Sequence, residues 1–342
     1  MNPNWQDVIE KNGGTVTAEG LAVFGAPAPE LELARTGTVA VPLTDRGLIR
    51  ASGEEAGLFL QNLLTNDSKN QRPEQAQYNA FCTAKGRMLA SFLQWRDGQD
   101  YVLQLSADIH APILKKLGMY VLRSKLKLAD ASGDFALIGI SGPDARNVVR
   151  GLGADPEPLM GVAPFAQGLA IHLETQRYEV AVPIDAAEAV WRSLKDSAQP
   201  VGTHVWRWLD IRAGVPRISA RTQEEFVPQM ANFELIGGVC FKKGCYPGQE
   251  IVARTQYLGK LKRRMYLAHS PQPVAPEVGA HLYGPETAEQ SCGMVVDVTC
   301  APGGGYDLLA VIQMSSAEQG EVRLDSLAGP ILEFKPLPYA IT

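Results

Sequence analysis

The sequence predicts an α+β body followed by a β-rich tail. Two observations carry that prediction. Between residues 39 and 197, short apolar runs alternate with segments of helical period, and the order strand, Ser-Gly, helix occurs twice, at 48–64 and at 135–151. From Met265 onward only short apolar runs between Gly and Pro turns remain, the pattern of a small antiparallel barrel.

The elements follow in order. Residues 1–37 mix polar residues with Ala, Gly and Pro, and read as a lead-in or a short helix followed by a linker. Residues 39–41 and 48–51 read as strands about the turn 44–47. Ser52-Gly53-Glu54-Glu55 then opens a helix, with acids in its first turn and Leu58, Phe59, Leu63 and Leu64 on one face. Strands are expected at 78–83, 88–96 and 101–105, the last two joined by the hairpin turn Asp97-Gly98-Gln99-Asp100. Residues 107–123 have helical period, with Ile109, Ile113, Leu117 and Tyr120 aligned. The second unit repeats the theme: strand 135–141, helix to 151, strands 169–173 and 179–182, helix 186–197. The stretch 205–216 reads as a further helix, stopped by Gly214 and Pro216. The tail strands fall at 265–268, 281–283, 293–299, 308–314 and 321–324.

A chain of 342 residues has ample core for two or three domains. The net charge of −5 gives no overall drive toward nucleic acid or membrane. Five scattered cysteines do not make a disulfide framework. Neither a signal-peptide pattern nor an apolar stretch of membrane-spanning length occurs, so a reducing cytoplasm is the expected location. The five histidines show no ligand spacing, no phosphate or dinucleotide loop is found, and no metal site is expected.

The densest chemistry lies in Phe241-Lys242-Lys243-Gly244-Cys245-Tyr246-Pro247-Gly248-Gln249-Glu250-Ile251-Val252-Ala253-Arg254. It reads as an exposed functional loop. Two glycines permit conformations that a side chain forbids, and two ammonium groups beside the thiol favour its thiolate, the reactive form. The alternative for Cys245 is a small buried hydrophobe. From Lys242 to Arg264 there are seven basic residues (Lys242, Lys243, Arg254, Lys260, Lys262, Arg263, Arg264) against one acid, Glu250. That excess suits an anionic ligand, either a folate tail or an RNA backbone; the alternative, favoured for 260–264, is a solvated strand face.

Lys243-Gly244-Cys245-Tyr246-Pro247-Gly248-Gln249-Glu250 resembles the Lys-Gly-Cys-Tyr-x-Gly-Gln-Glu signature of the YgfZ family, folate-binding relatives of the glycine-cleavage T-protein that support iron–sulfur enzymes. The resemblance extends over roughly residues 38–342. It is carried also by 53–67, by Cys82-Thr83-Ala84-Lys85-Gly86-Arg87 (with Thr83 where these proteins often carry Asp), by the segment around Trp206-Arg207-Trp208, by Phe226-Val227-Pro228-Gln229, by Asn232-Phe233 and by the close at 333–339.

The resemblance implies a T-protein-like fold of three domains around a central cavity, ending in a small antiparallel β-barrel. It divides the chain into a lead-in (1–37), a folate-binding α+β region (38–240, as two related units of roughly 38–132 and 133–240, with interleaving of the two as an alternative), the signature and basic segment (241–264) and the barrel (265–342). It implies tetrahydrofolate or a derivative as cofactor, with Trp206, Arg46, Tyr246, Lys85 and Arg87 as candidate contacts. For Trp206, core packing is the equal alternative. Cys245 would be the reactive group, served by Lys243, which keeps the thiolate accessible, and by Gln249, Glu250 and Arg254, which order the loop. The implied partners are iron–sulfur client enzymes, including those that methylthiolate tRNA, with an indirect link to tRNA and no membrane. Two other functions stay open: a tetrahydrofolate-dependent aminomethyltransferase-like enzyme, and an RNA-binding protein using 242–264. Against the first, 85–91 contains no Asp or Glu where aminomethyltransferases place a carboxylate beside the reactive pterin nitrogen.

Overall fold

The computed structural model describes residues 1–259, 261–287 and 290–341. They form two compact units interleaved in sequence. One comprises Met1–Ala56, Gln71–Gln77 and Leu93–Trp206; the other comprises Gly57–Asn70, Tyr78–Phe92 and Arg207–Thr342.

The first unit is built on a six-stranded sheet in the order Val162–Phe165, Gly168–Glu174, Arg177–Pro183, Phe135–Ser141, Val39–Pro42, Gln199–Pro200. One face of that sheet carries the core: Ile138, Ile140, Val180 and Val182 pack against Trp191 and Leu194 of the helix Ala187–Lys195. In a second sheet, Asp100–Ser106 pairs antiparallel with the end of Met88–Asp97 and with Arg46–Ser52, which pairs in turn with Lys127–Asp130. Residues 1–37 are part of this unit rather than a lead-in. The helix Pro3–Lys11 starts with Asn2 as its cap and Pro3 at its first position, both favourable there. It buries Trp5, Val8 and Ile9, and Trp5 meets Trp191 edge-on at 5.6 Å.

The internal echo is visible in the backbone. Gly53 and Gly142, which follow Ser52 and Ser141, have φ of +124° and +126°. A Cβ on either would lie 2.4 Å from Lys125 O or 2.2 Å from Gly37 O. Each Ser-Gly thus marks a strand-to-helix corner against which another stretch of backbone packs, and only glycine fits there. The helix expected at 107–123 ends at Gly118. Leu122, at φ +46°, cannot continue it, and Tyr120 is left exposed beyond its end.

The second unit carries a six-stranded antiparallel sheet in the order Arg323–Leu324, His281–Tyr283, Gly293–Cys300, Tyr306–Gln313, Arg263–Ser270, Glu333–Lys335. It curls into a half-barrel around Leu282, Val295, Leu308, Ala310 and Ile312. The helix Met314–Gln319 and the strand Glu333–Lys335 add to the expected elements. The segment after Trp206 is tied to the half-barrel by polar bonds: Trp208 Nε1 donates to Asp307 at 2.9 Å, and Arg217 grips Asp297 through two bonds of 2.9 and 3.0 Å. Burial alone would raise the Asp297 carboxyl, but Arg217 holds it below the usual carboxylate range. In this unit the helix Ala56–Leu63 buries Phe59, Leu60 and Leu63, whereas Leu58 points to solvent.

Candidate functional site

Cys245 is exposed, and Gly244 beside it has no neighbour within 4 Å of an added Cβ. The residues around them are fixed to the rest of the second unit. Lys243, 8% exposed, turns inward. Its Nζ donates to Gln61 O at 2.5 Å, Leu64 O at 2.5 Å and Asn66 O at 3.0 Å. These carbonyls lie at and just beyond the end of the helix Ala56–Leu63, where a cation meets the negative end of the helix dipole and carbonyls lack helical partners. Burial pulls the Lys243 ammonium down to about 8, with Asp67 opposing. The sequence suggested that Lys243 keeps the thiolate accessible; the structure places its charge in a clasp between the loop and this helix. Tyr246 is buried, its ring centroid 5.0 Å from Lys243 Nζ, and burial pushes its phenol up.

The segment expected as a loop becomes helical in its second half. Gly248 takes the left-handed conformation, φ +80°, as the cap of the helix Gln249–Tyr257. A Cβ there would lie 2.4 Å from Thr83 O and 2.5 Å from Gly86 Cα. Gly86, at φ +71°, meets Gly248 O and Ile251 from the other side. Two segments far apart in sequence, 83–87 and 244–251, therefore touch glycine to glycine. That contact brings Lys85 and Arg87 to the base of the signature. Lys85 is exposed, and an Arg87 Nη1 donates to Glu225 O. Gln249 is half-buried at the first helical position, and Glu250 and Arg254 are exposed along the helix. Gln229 Nε2 donates to Val252 O at 2.7 Å and holds the helix from beneath.

The basic excess is partly internal. Arg264 is buried in an ion pair with Glu234, and Lys243 is buried in its clasp. Lys242, Arg254 and Lys262 are exposed, Arg263 is half-buried, and Lys260 lies outside the described residues.

The remaining candidates fall in the first unit. Trp206 is 1% exposed. One face of its ring lies on Gly139, where a Cβ would sit 2.3 Å from a ring carbon, and the guanidinium of Arg177 lies over the ring at 4.7 Å. Core packing, the equal alternative, is what the structure shows; a pteridine has no open face of this ring to stack on. Arg46 pairs with Asp45 at 3.6 Å and lines a cavity of about 20 Å³ with Trp5 and Phe135. That volume holds one water rather than a pteridine.

The structure adds two residues that sequence reasoning missed. Glu179 is 1% exposed and pairs across the sheet with Gly139, so it shares a face with Arg177 and Trp206. Gln104 Nε2 donates to Glu179 Oε2 at 3.2 Å, and Gln104 Oε1 is buried with no hydrogen-bond partner among the described residues. The signal was a carboxylate within an otherwise apolar run, Tyr178-Glu179-Val180-Ala181-Val182, since a buried charge requires a partner. Among the described residues no group of three or more His, Cys, Asp or Glu could hold a metal ion, and no helix is long and apolar enough to cross a membrane.

Residues 20–167 match the family model described as the GCVT N-terminal domain. The chain is 33% identical over 316 residues to the tRNA-modifying protein YgfZ of Vibrio vulnificus YJ016, covering 89% of this chain and 93% of that one. It is 29% identical over 308 residues to the protein of the same name from Yersinia enterocolitica, covering 88% and 92%. Its fold matches the crystal structure of glycine cleavage system aminomethyltransferase T from Bartonella henselae with a TM-score of 0.81 at 19% identity, over 99% of this chain and 98% of the other. A signature assembled on this fold, with relatives aligned over nearly the whole chain, places the protein in the YgfZ family.

Proposed function

We propose that this protein is a folate-binding accessory factor that supports iron–sulfur enzymes, including those that methylthiolate tRNA, through the thiol of Cys245. The observation that carries the reading is the contrast within the signature. Lys243, Tyr246 and Gly248 are held by buried contacts, while Cys245 stands in solvent. A backbone this constrained around one exposed thiol presents that thiol to something outside the chain.

Gln104 and Glu179 fit the pterin part of a folate. A buried carboxylate beside a carboxamide oxygen lacking a donor matches the adjacent N–H groups of a 2-amino-4-oxopteridine edge. The Arg177 guanidinium over Trp206 gives that face a planar group. When bound, the folate would supply a one-carbon carrier; the residues of this chain bind and orient its ring. Aminomethyl transfer is disfavoured because the turn at Gly86 carries Lys85 and Arg87 and no carboxylate. Direct RNA binding is disfavoured because Lys243 and Arg264 are engaged internally.

The test is calorimetric titration with tetrahydrofolate, together with rescue of client activity in a deletion strain. Glu179→Gln keeps the shape and removes the charge. It should weaken binding about 10- to 100-fold, the loss of one charge-assisted bond of about 1.5–3 kcal/mol. Cys245→Ala should bind folate like the wild type and fail to rescue. No saturable binding by the wild type refutes the folate assignment, and full rescue by Cys245→Ala refutes the thiol's role.

A further inference from the structure

The helix Gln249–Tyr257 has an unusual outer face. Val252 is buried beneath it. Ile251, Arg254 and Leu258 follow at i, i+3 and i+7 and so lie in one row, with Glu250 and Tyr257 beside them. An outward row on a surface helix is ordinarily polar. Here Ile251 is 39%, Tyr257 68% and Leu258 84% exposed. Phe241, which enters the signature, meets Tyr257 edge-on at 5.9 Å and extends the apolar area. Cys245 lies in the loop between Phe241 and this helix. The exposed cations Lys242, Arg254 and Lys262 make no ion pair among the described residues, so their charges face outward.

We propose that this face is the docking surface for a partner protein whose contact area has an apolar centre and a predominantly acidic rim. The proposal rests on the thiol reading above and names where the client sits relative to Cys245. Three features select that occupant. An apolar centre of Tyr and aliphatic side chains inside a charged rim, with an Arg in its row, is the anatomy of a protein interface. A second copy of this chain would bring the same cations against themselves. A nucleic acid would find the Tyr257 ring set beside two exposed aliphatic side chains rather than a run of stacking rings, and Glu250 beside the row would repel its phosphates.

Photo-crosslinking in the native cell tests this. The full chain would carry benzoylphenylalanine at position 258, at position 245, or at the exposed Leu159 of the first unit as a control. The expected result is that positions 245 and 258 capture the same protein and position 159 does not. Y257D together with L258D should reduce capture from position 245 at least tenfold. Both side chains are exposed, so folding is spared, and unchanged tetrahydrofolate titration confirms that. If position 245 captures a protein while position 258 captures RNA, another copy of this chain or nothing, the docking face is wrong and the thiol reading stands. Capture from position 245 that is undiminished by the double substitution overturns the face as well. Capture at neither position removes both.

Discussion

Lys243→Met separates scaffold from chemistry at the signature. The substitution keeps the length of the side chain and removes the ammonium. Three donated bonds, at 2.5, 2.5 and 3.0 Å, are lost, and their carbonyls stay partly or fully buried. Bonds from a charged donor are worth about 1.5–3 kcal/mol each, so the gross loss is roughly 4–9 kcal/mol. Against it stands the cost of burying the ammonium. Lys243 is pulled from 10.5 to about 8, which corresponds to about 3 kcal/mol at ~1.4 kcal/mol per pH unit. The net destabilisation is about 1–6 kcal/mol. Urea unfolding measures it, and amide hydrogen exchange localises it. Protection should fall first at the end of the helix Ala56–Leu63 and through residues 240–246. An unfolding midpoint and exchange pattern identical to wild type, with function lost, would refute the clasp and return Lys243 to the chemistry of the thiol.

Further outcomes follow from the same contacts. The folded-state pKa of Lys243 lies below its unfolded value, so between pH about 8 and 10.5 the unfolded chain holds the extra proton and stability rises with pH. The difference in unfolding free energy between wild type and Lys243→Met should grow by about 2 kcal/mol from pH 7.5 to 9.5, and a constant difference would exclude a buried ammonium. Gly248→Ala should cost at least ~2 kcal/mol, from the left-handed backbone and the overlap with Thr83 O, whereas Gly244→Ala should stay within about 0.5 kcal/mol; thermal unfolding of the pair distinguishes them. Gly53→Ala and Gly142→Ala should each destabilise the protein by a similar amount, since both meet a carbonyl at 2.4 Å or less, and unequal denaturation midpoints would break the equivalence of the two corners.

The strands were legible because a half-buried strand imposes period 2 on its own residues, and the Asp97-Gly98-Gln99-Asp100 hairpin because Gly98 needs positive φ. Other features depended on partners distant in sequence. Lys242 and Lys243 look alike in the chain, yet one faces solvent and the other reaches the carbonyls of 61, 64 and 66. The stretch 241–254 reads as a loop, but Gly248 caps a helix within it because Gly86 leaves room for it. The role of Glu179 is silent in the sequence because its meaning lies in being buried opposite Gly139 and beside Gln104, two positions far away in the chain. The packing of residues 1–37 is hidden in the sequence because Trp5 meets Trp191, far along the chain, and Ile9 joins the same core cluster.

The clasp also bears on how an eight-letter signature should be weighed when chains are compared. Lys243, Tyr246 and Gly248 answer to architecture, whereas Gly244, Cys245 and Glu250 face outward, and of these the proposed function assigns the chemistry to Cys245. A pattern search counts every letter equally. A chain that keeps the lysine, the tyrosine and the second glycine but replaces the thiol would build the same support and score as a near-match, with nothing mounted on it. A chain that keeps the thiol and loses the lysine would score the same, with the thiol on a slack tether. On the proposed function, letters of the first kind report the support and the cysteine reports competence; the two should be tallied separately.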